Sequence, residues 1–197
     1  MEELIDKSDL ILPQYKQKLK ECLRSFPEHF EKWFYSPSLP EDLYQGDIFL
    51  DVPVTLIDED GGPIGGQAHV MLVSNSCDMQ PSGSDCITVA TIIDFQNFSR
   101  EKPDSFSKDR WEDYLRSLTN NHITQYLYIP SGKTLRESIV RFDQLISINK
   151  EFILKKYNET RELRLLSLSQ YGYYYFILKL TYHFSRREPG DVKREDD

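Results

Sequence analysis

The first part of the chain carries apolar residues at the spacing of a helix. These residues are three or four positions apart, with lysines between them: Leu12, Tyr15, Leu19 and Leu23. Pro27 interrupts the pattern, and a second, aromatic turn follows it. The sequence therefore predicts a helical N-terminal arm over residues 1–40. We favour an arm that packs on the body of the protein, and the alternative is a helix that binds a partner.

Beyond a break at 36–40, the pattern changes to short apolar runs rich in β-branched residues, which are typical of strands. Strands are predicted over 48–57, 70–73, 87–93, 123–129, 138–142 and 145–148. Pro53 indicates a bulge or an edge in the first of them. The glycine-rich segment 61–66 predicts a loop between the first strand and the second.

Other segments frame these strands. Residues 95–122 are polar and predict a helical insertion whose helix carries Trp111 and Leu118. A short turn of helix is predicted to begin at 152–154. The segment 163–184 has strand-like composition in part, but its length favours a C-terminal helix. The charged tail, residues 186–197, predicts disorder.

Composition narrows the classes of function. The 197-residue chain carries a net charge of −8, from 24 Lys and Arg against 32 Asp and Glu. Because nonspecific DNA binding depends on neutralising phosphates, this charge argues against a protein that coats DNA. Cys22, Cys77 and Cys86 predict neither a disulfide framework nor a zinc site. No metal or cofactor motif stands out and no apolar run is long enough to span a membrane, so we expect a cytoplasmic protein without a cofactor.

Several short segments together resemble the MazF/PemK family of small toxins. Gln45–Ile48 resembles the family's opening Arg-Gly-Asp-Ile/Val strand, Val70–Asn75 resembles its second strand, and Ile87–Ala90 resembles its third. Ser138–Ile148 is similar to the late strand pair that precedes a closing helix. The resemblance covers about residues 45–94 and 124–180, with the insertion between them.

The resemblance implies an α+β protein built on a small SH3-like barrel, here over residues 41–185, which dimerises. It also implies metal-independent cleavage of single-stranded RNA and a protein antitoxin as partner. Ala68 stands where the family has an arginine, His69 where it usually has proline, and Ile93 where it has a hydroxyl side chain. Neither Ala68 nor Ile93 can donate a hydrogen bond from its side chain to a phosphate. The end of the hairpin at which the family cleaves RNA is therefore expected to be bare, that is, without the side chains that bind a phosphate.

These departures favour a divergent member of the family that lacks the usual RNA-cleaving residues. We expect it to act as a nucleic-acid-associated or protein-binding module in a toxin–antitoxin or phage-defence system. Its expected partners are single-stranded RNA, an antitoxin-like or defence-system subunit, or a second copy of the chain. The sequence leaves open whether the protein is an enzyme.

A register argument predicts a second cluster of polar residues. Antiparallel pairing of strands 47–56 and 67–75 places Leu56 opposite Gln67 and Asp47 near Ser76. Pairing of the second strand with the third places Ala68 beside Ile92 or Ile93. The end of the hairpin opposite the bare one then collects six polar residues: Gln45, Asp47, Ser74, Asn75, Cys77 and Asp78.

This cluster has two interpretations. As a relocated catalytic site of a ribonuclease or hydrolase, it would use Cys77, Asp78 and Asp47, with Gln45, Ser74 and Asn75 as binding residues. Cys77 would need a base to form a thiolate. His69 is the fourth catalytic candidate, although eight residues of extended strand separate it from Cys77 by roughly 26 Å. The interpretation we favour is a structural loop, since Ser, Asn and Asp side chains readily bond to nearby backbone.

Overall fold

The strands form one antiparallel sheet. The computed structural model describes residues 2–185, which contain six strands: β1 (Ile48–Ile57), β2 (Pro63–Leu72), β3 (Cys86–Asp94), β4 (Tyr126–Ile129), β5 (Ser138–Asn149) and β6 (Arg164–Leu166). Their spatial order is β4-β5-β3-β2-β1-β6, so β4 and β6 lie at the two ends of the sheet. The tail predicted to be disordered lies outside the described residues.

Seven helices of the described chain surround this sheet, which makes the fold α+β as predicted. They are α1 (Glu2–Lys7), α2 (Pro13–Arg24), α3 (Phe30–Phe34), α4 (Phe95–Arg100), α5 (Lys108–Thr119), α6 (Lys150–Glu159) and α7 (Gln170–Ser185). The helices predicted in the arm, in the insertion, after residue 152 and at the C-terminus are all present. None of the helices within residues 2–185 combines the length and the apolar character needed to cross a membrane.

The N-terminal arm packs on the C-terminal helix. Leu19 of α2 is fully buried against Tyr174 and Leu178 of α7, together with Ile5 of α1. At the other side of α7, Gly172 lies so close to α3 that a Cβ there would come within 2.0 Å of the Phe34 carbonyl oxygen. The predicted packing of the arm on the body is confirmed, while the boundary at residue 40 stays a prediction.

A buried lysine joins the same helix to the end of the insertion. The Lys179 side chain is only 2% exposed, and its ammonium donates hydrogen bonds to the carbonyl oxygens of Asn121 (2.7 Å) and Ile123 (3.0 Å). Burial lowers the pKa of Lys179 from 10.5 to about 8, because desolvation disfavours the charged form.

The first hairpin corrects two predictions. Residues 63–66 are not a loop but the first part of β2, and the turn spans only Asp58–Gly62. The Asp58 carboxylate accepts hydrogen bonds from the backbone N–H groups of Asp60 and Gly62, and Gly61 adopts a φ of +82°, so the turn needs few residues. As a result Leu56 faces Ile64 rather than Gln67. Asp47 lies opposite Leu72, whose N–H donates to the Asp47 carbonyl, rather than opposite Ser76.

The register between β2 and β3 agrees with the prediction. His69 faces Ile92, in the predicted register, but the ladder ends at this pair, so Ala68 does not pair with Ile93. The predicted pair of strands at 138–142 and 145–148 is instead the single strand β5, in which a register shift opposite Ala90 and Thr91 absorbs the polar residues between the two runs. β4 begins at Tyr126, three residues later than predicted.

Candidate functional site

The structure places Asp47 in a buried ion pair. The Asp47 carboxylate is fully buried, and one of its oxygens accepts hydrogen bonds from the Arg164 guanidinium (3.0 Å) and from the Tyr44 N–H (3.0 Å). Burial raises the pKa of Asp47 above its ordinary value, while hydrogen bonds from Ser167, the Tyr44 N–H and Arg164 act in the opposite direction. Because arginine stays protonated, the ionised carboxylate is the form that leaves no buried charge unpaired.

Arg164 connects three parts of the chain through this pair. Its guanidinium also donates to the Asp42 carbonyl (2.6 Å), to the Pro40 carbonyl and to the Tyr157 hydroxyl (2.9 Å). The pair therefore fixes the entry of β1 against β6 and α6. Since the Asp47 carboxylate is fully buried and paired, this is the environment of a structural ion pair.

The polar residues next to Asp47 also bond to backbone. The Gln45 side chain donates from Nε2 to the Val73 carbonyl (2.6 Å), and its backbone N–H donates to the Ser76 hydroxyl (2.9 Å). The Ser74 hydroxyl accepts from the Thr88 N–H (2.8 Å). These bonds hold the entry of β1 and the start of β3 against the loop that follows β2.

The remaining residues of the predicted cluster lie on that loop. Asn75 accepts from the Cys77 N–H (2.9 Å) and so caps a short 3₁₀ turn over Ser76–Met79. Cys77 is exposed, and Asp78 is half-buried on the same turn. The structure brings Gln45 together with Ser74–Ser76, but it separates the enclosed Asp47 carboxylate from the exposed Cys77 thiol.

The end of the hairpin that carries its turn and residues Pro63–Ala68 is more open than its sequence indicates. The ladder between β2 and β3 covers only His69–Leu72, whereas β2 pairs with β1 as far as Pro63. A bulge in β1 between Phe49 and Val52, with Asp51 at a φ of +45°, lies across from the point where the ladder between β2 and β3 ends. Residues Pro63–Ala68 therefore have a neighbouring strand on one side only, and we call them the free β2 edge.

The alternation of hydrogen bonds in the hairpin shows which backbone N–H and C=O groups of this edge point away from β1. The Asp58 N–H donates to the Gly62 carbonyl (2.9 Å). In an antiparallel ladder, residue pairs that hydrogen-bond to each other alternate with pairs that do not, so the next bonded pairs are Leu56 with Ile64 and Val54 with Gly66. The backbone N–H and C=O of Gly65 and Gln67 then point away from β1. Pro53, which has no N–H, faces Gln67 in a pair that does not hydrogen-bond across the hairpin, and this agrees with the assignment.

A cleft lies where the free β2 edge separates from β3. It has a volume of about 250 Å³ and is lined by His69, Asp94, Thr134, Leu135, Arg136 and Ser138. Ala68 and Ile93 offer no polar side chain at this end, but the loop between β4 and β5 adds the Arg136 guanidinium and the Thr134 hydroxyl there. Sequence reasoning missed them since that loop is distant along the chain, and the only signal was an arginine just before β5.

Arg136 is the one of these groups left without a charged partner. It is exposed, and its guanidinium makes no ion pair with any residue of the range 2–185. Asp94 accepts from the Asn97 N–H (2.9 Å) and thereby caps α4. The His69 ring lies 3.4 Å from an Asp51 carboxylate oxygen. The cleft thus offers a cation, Arg136, near two carboxylates that already have partners.

The stretch of sequence that contains the hairpin is strongly acidic. Residues 33–99 contain ten Asp and Glu and no Lys or Arg. Three of the acidic residues, Asp58, Glu59 and Asp60, are consecutive at the hairpin turn. The hairpin turn therefore carries a concentrated negative charge.

Comparison with known proteins finds no family model that matches this chain and no curated protein that matches it. Within residues 2–185, no group of three or more His, Cys, Asp or Glu side chains is placed so that it could hold a metal ion.

Proposed function

We propose that this protein is a divergent MazF/PemK-like protein that acts as a protein-binding module in a toxin–antitoxin or phage-defence system. Its ligand is an extended segment of a partner protein, which adds as a strand to the free β2 edge. Two features support the relationship: β1, β2 and β3 are consecutive antiparallel neighbours, and a helix follows β5. Both agree with the order of the resembling segments, and we propose that the sheet is an opened form of an SH3-like barrel.

The unpaired free β2 edge is the observation that carries the proposed function. Natural edge strands are usually protected by charged residues, a covering loop or a short length. Residues 63–68 are uncharged, and 63–67 are exposed. Gly65 and Gln67 direct backbone donors and acceptors outward, and Ile64 is 56% exposed beside them. Such an edge binds an extended chain through main-chain hydrogen bonds.

Charge determines which partner fits. The acidic residues of the hairpin turn and the absence of Lys and Arg over 33–99 attract a segment rich in lysine and arginine. The same charges repel RNA, whose binding relies on basic residues along the phosphate path. We therefore propose a basic protein segment, and not RNA, as the ligand of this edge.

The test compares two substitutions at one position. Gly65→Pro removes an outward N–H without removing a bond of the hairpin, and Gly65→Ala keeps that N–H. A Cβ at Gly65 meets no atom within 4 Å, so alanine fits, and the proline ring replaces an N–H that points away from β1. The probe is a pool of fluorescent nine-residue peptides in which Lys or Arg alternates with Val, Ile or Leu, and binding is measured by anisotropy.

We expect the pool to bind the parent protein and Gly65→Ala alike, and to bind Gly65→Pro about tenfold more weakly or worse. Equal binding by all three proteins would contradict edge addition. Dimerisation of the protein that excludes the peptides and is lost in Gly65→Pro, measured by sedimentation, would instead assign the edge to a second copy and overturn the proposal.

A further inference from the structure

We infer that the bound segment is the C-terminus of the partner, and that Arg136 binds its terminal carboxylate in the cleft beside His69. The inference rests on the proposed function, because it specifies the end of the segment that lies on the free β2 edge. It assigns a second binding element to the protein, with a carboxylate as its ligand.

The direction of the strands leads an added segment into the cleft. The free β2 edge runs from Pro63 to Ala68 and is followed directly by His69, which lines the cleft. Six residues of strand extend about 20 Å. A segment added parallel to β2 therefore covers the edge with its last residues and reaches the cleft with its terminus. β3 and the loop between β4 and β5 close the path there, so the chain must end or turn.

The cleft suits a terminal residue in both polarity and size. The Arg136 guanidinium has no ion-pair partner among the described residues, and its planar pair of donors matches a carboxylate. Thr134 adds a hydroxyl donor. Leu135, which is 6% exposed, gives the cleft an apolar surface, and a volume of about 250 Å³ accommodates one aliphatic side chain with its carboxylate. The expected last residue is therefore Val, Leu or Ile.

The negative charge of Asp94 repels a carboxylate ligand, so removing it tests the charge of the ligand. Its carboxylate lines the same cleft while it caps α4 through the Asn97 N–H. Asparagine caps a helix about as well as aspartate, so Asp94→Asn removes the charge and keeps the cap. A carboxylate ligand then binds more tightly, because the nearby like charge has been removed.

The experiment uses the same peptide pool in two forms, one with a free C-terminal carboxylate and one with a C-terminal amide. We expect the free acids to bind about tenfold more tightly than the amides. Arg136→Met should remove that difference and Asp94→Asn should increase it. Lys133→Met, which removes a cation of the same loop that does not line the cleft, is the matched control and should change nothing.

The outcomes separate this inference from the proposed function. If acids and amides bind equally and Gly65→Pro still weakens both, edge addition stands and carboxylate capture is wrong. If neither form binds, both proposals are overturned. Binding of a single-stranded RNA oligonucleotide that depends on Arg136 and competes with the peptides would assign the cleft to phosphate and also overturn the inference.

Discussion

Replacing Asp47 with asparagine distinguishes a structural from a catalytic role for that residue. The Asp47 carboxylate and the Arg164 side chain are 0% and 2% exposed, and they are 3.0 Å apart. Asparagine has nearly the same shape but no charge. The substitution therefore leaves the Arg164 guanidinium buried without a counter-ion, while its bonds to the Asp42 carbonyl and the Tyr157 hydroxyl remain.

The size of the effect follows from this burial. Breaking a buried ion pair by removing one partner destabilises a protein by about 3–5 kcal/mol. Because Arg164 keeps its other hydrogen bonds, we expect the lower end, about 3 kcal/mol. For a chain of this length that corresponds to a decrease of roughly 6–12 °C in Tm.

Urea unfolding followed by circular dichroism measures this directly, with Cys77→Ala as the control. Cys77 is exposed, so its substitution should change the free energy of unfolding by less than about 0.5 kcal/mol. An Asp47→Asn variant as stable as the parent would refute the reasoning, because the pair would then contribute nothing to the fold. Loss of an activity in that variant at unchanged stability would support a catalytic Asp47 instead.

Three further predictions concern other parts of the molecule. Since the pKa of Lys179 is lowered to about 8, the unfolded chain binds more protons than the folded one between pH 8 and 10. The free energy of unfolding should then rise with pH from about 8, by up to about 1.4 kcal/mol per pH unit relative to the Lys179→Met variant. Urea titrations at pH 7.5, 8.5 and 9.5 measure this, and a difference between the two proteins that does not change with pH would contradict the buried ammonium. Gly65→Ala should raise the free energy of unfolding by about 0.5 kcal/mol, because alanine loses less chain entropy than glycine in a strand, and a decrease would show that the strand is strained there. A pool of single-stranded RNA incubated in EDTA should stay intact; specific new ends that disappear in Cys77→Ala or His69→Ala would establish a ribonuclease and contradict the proposed function.

Much of the fold follows from local patterns in the sequence. The spacing of Tyr15, Leu19 and Leu23 determines a helix, and the β-branched run at 87–93 determines a strand, because each pattern buries one surface. The register of β2 on β3 also follows, since both strands are apolar and a shift by one residue would expose them.

Other features depend on contacts that sequence spacing does not encode. Residues 63–66 are classified as a loop by their glycines, yet Asp58 closes the turn early and leaves them to continue the strand. The role of Asp47 depends on Arg164, which is far along the chain and has no motif around it. Arg136 reaches the cleft only because β5 returns beside β3. Prediction of the Arg164 partner, or of the place of Arg136 in the cleft, would require the tertiary fold.

The free β2 edge is tested most directly by amide hydrogen exchange, measured by NMR on the labelled protein with and without the basic peptide pool. In the free protein the Gly65 and Gln67 N–H groups should exchange rapidly, whereas the Gly66 N–H, which bonds inward to β1, should be protected. Bound peptide should protect Gly65 and Gln67 and leave Gly66 unchanged. Peptide binding that leaves Gly65 and Gln67 exchanging as before would show that the ligand binds elsewhere and would contradict the proposed function.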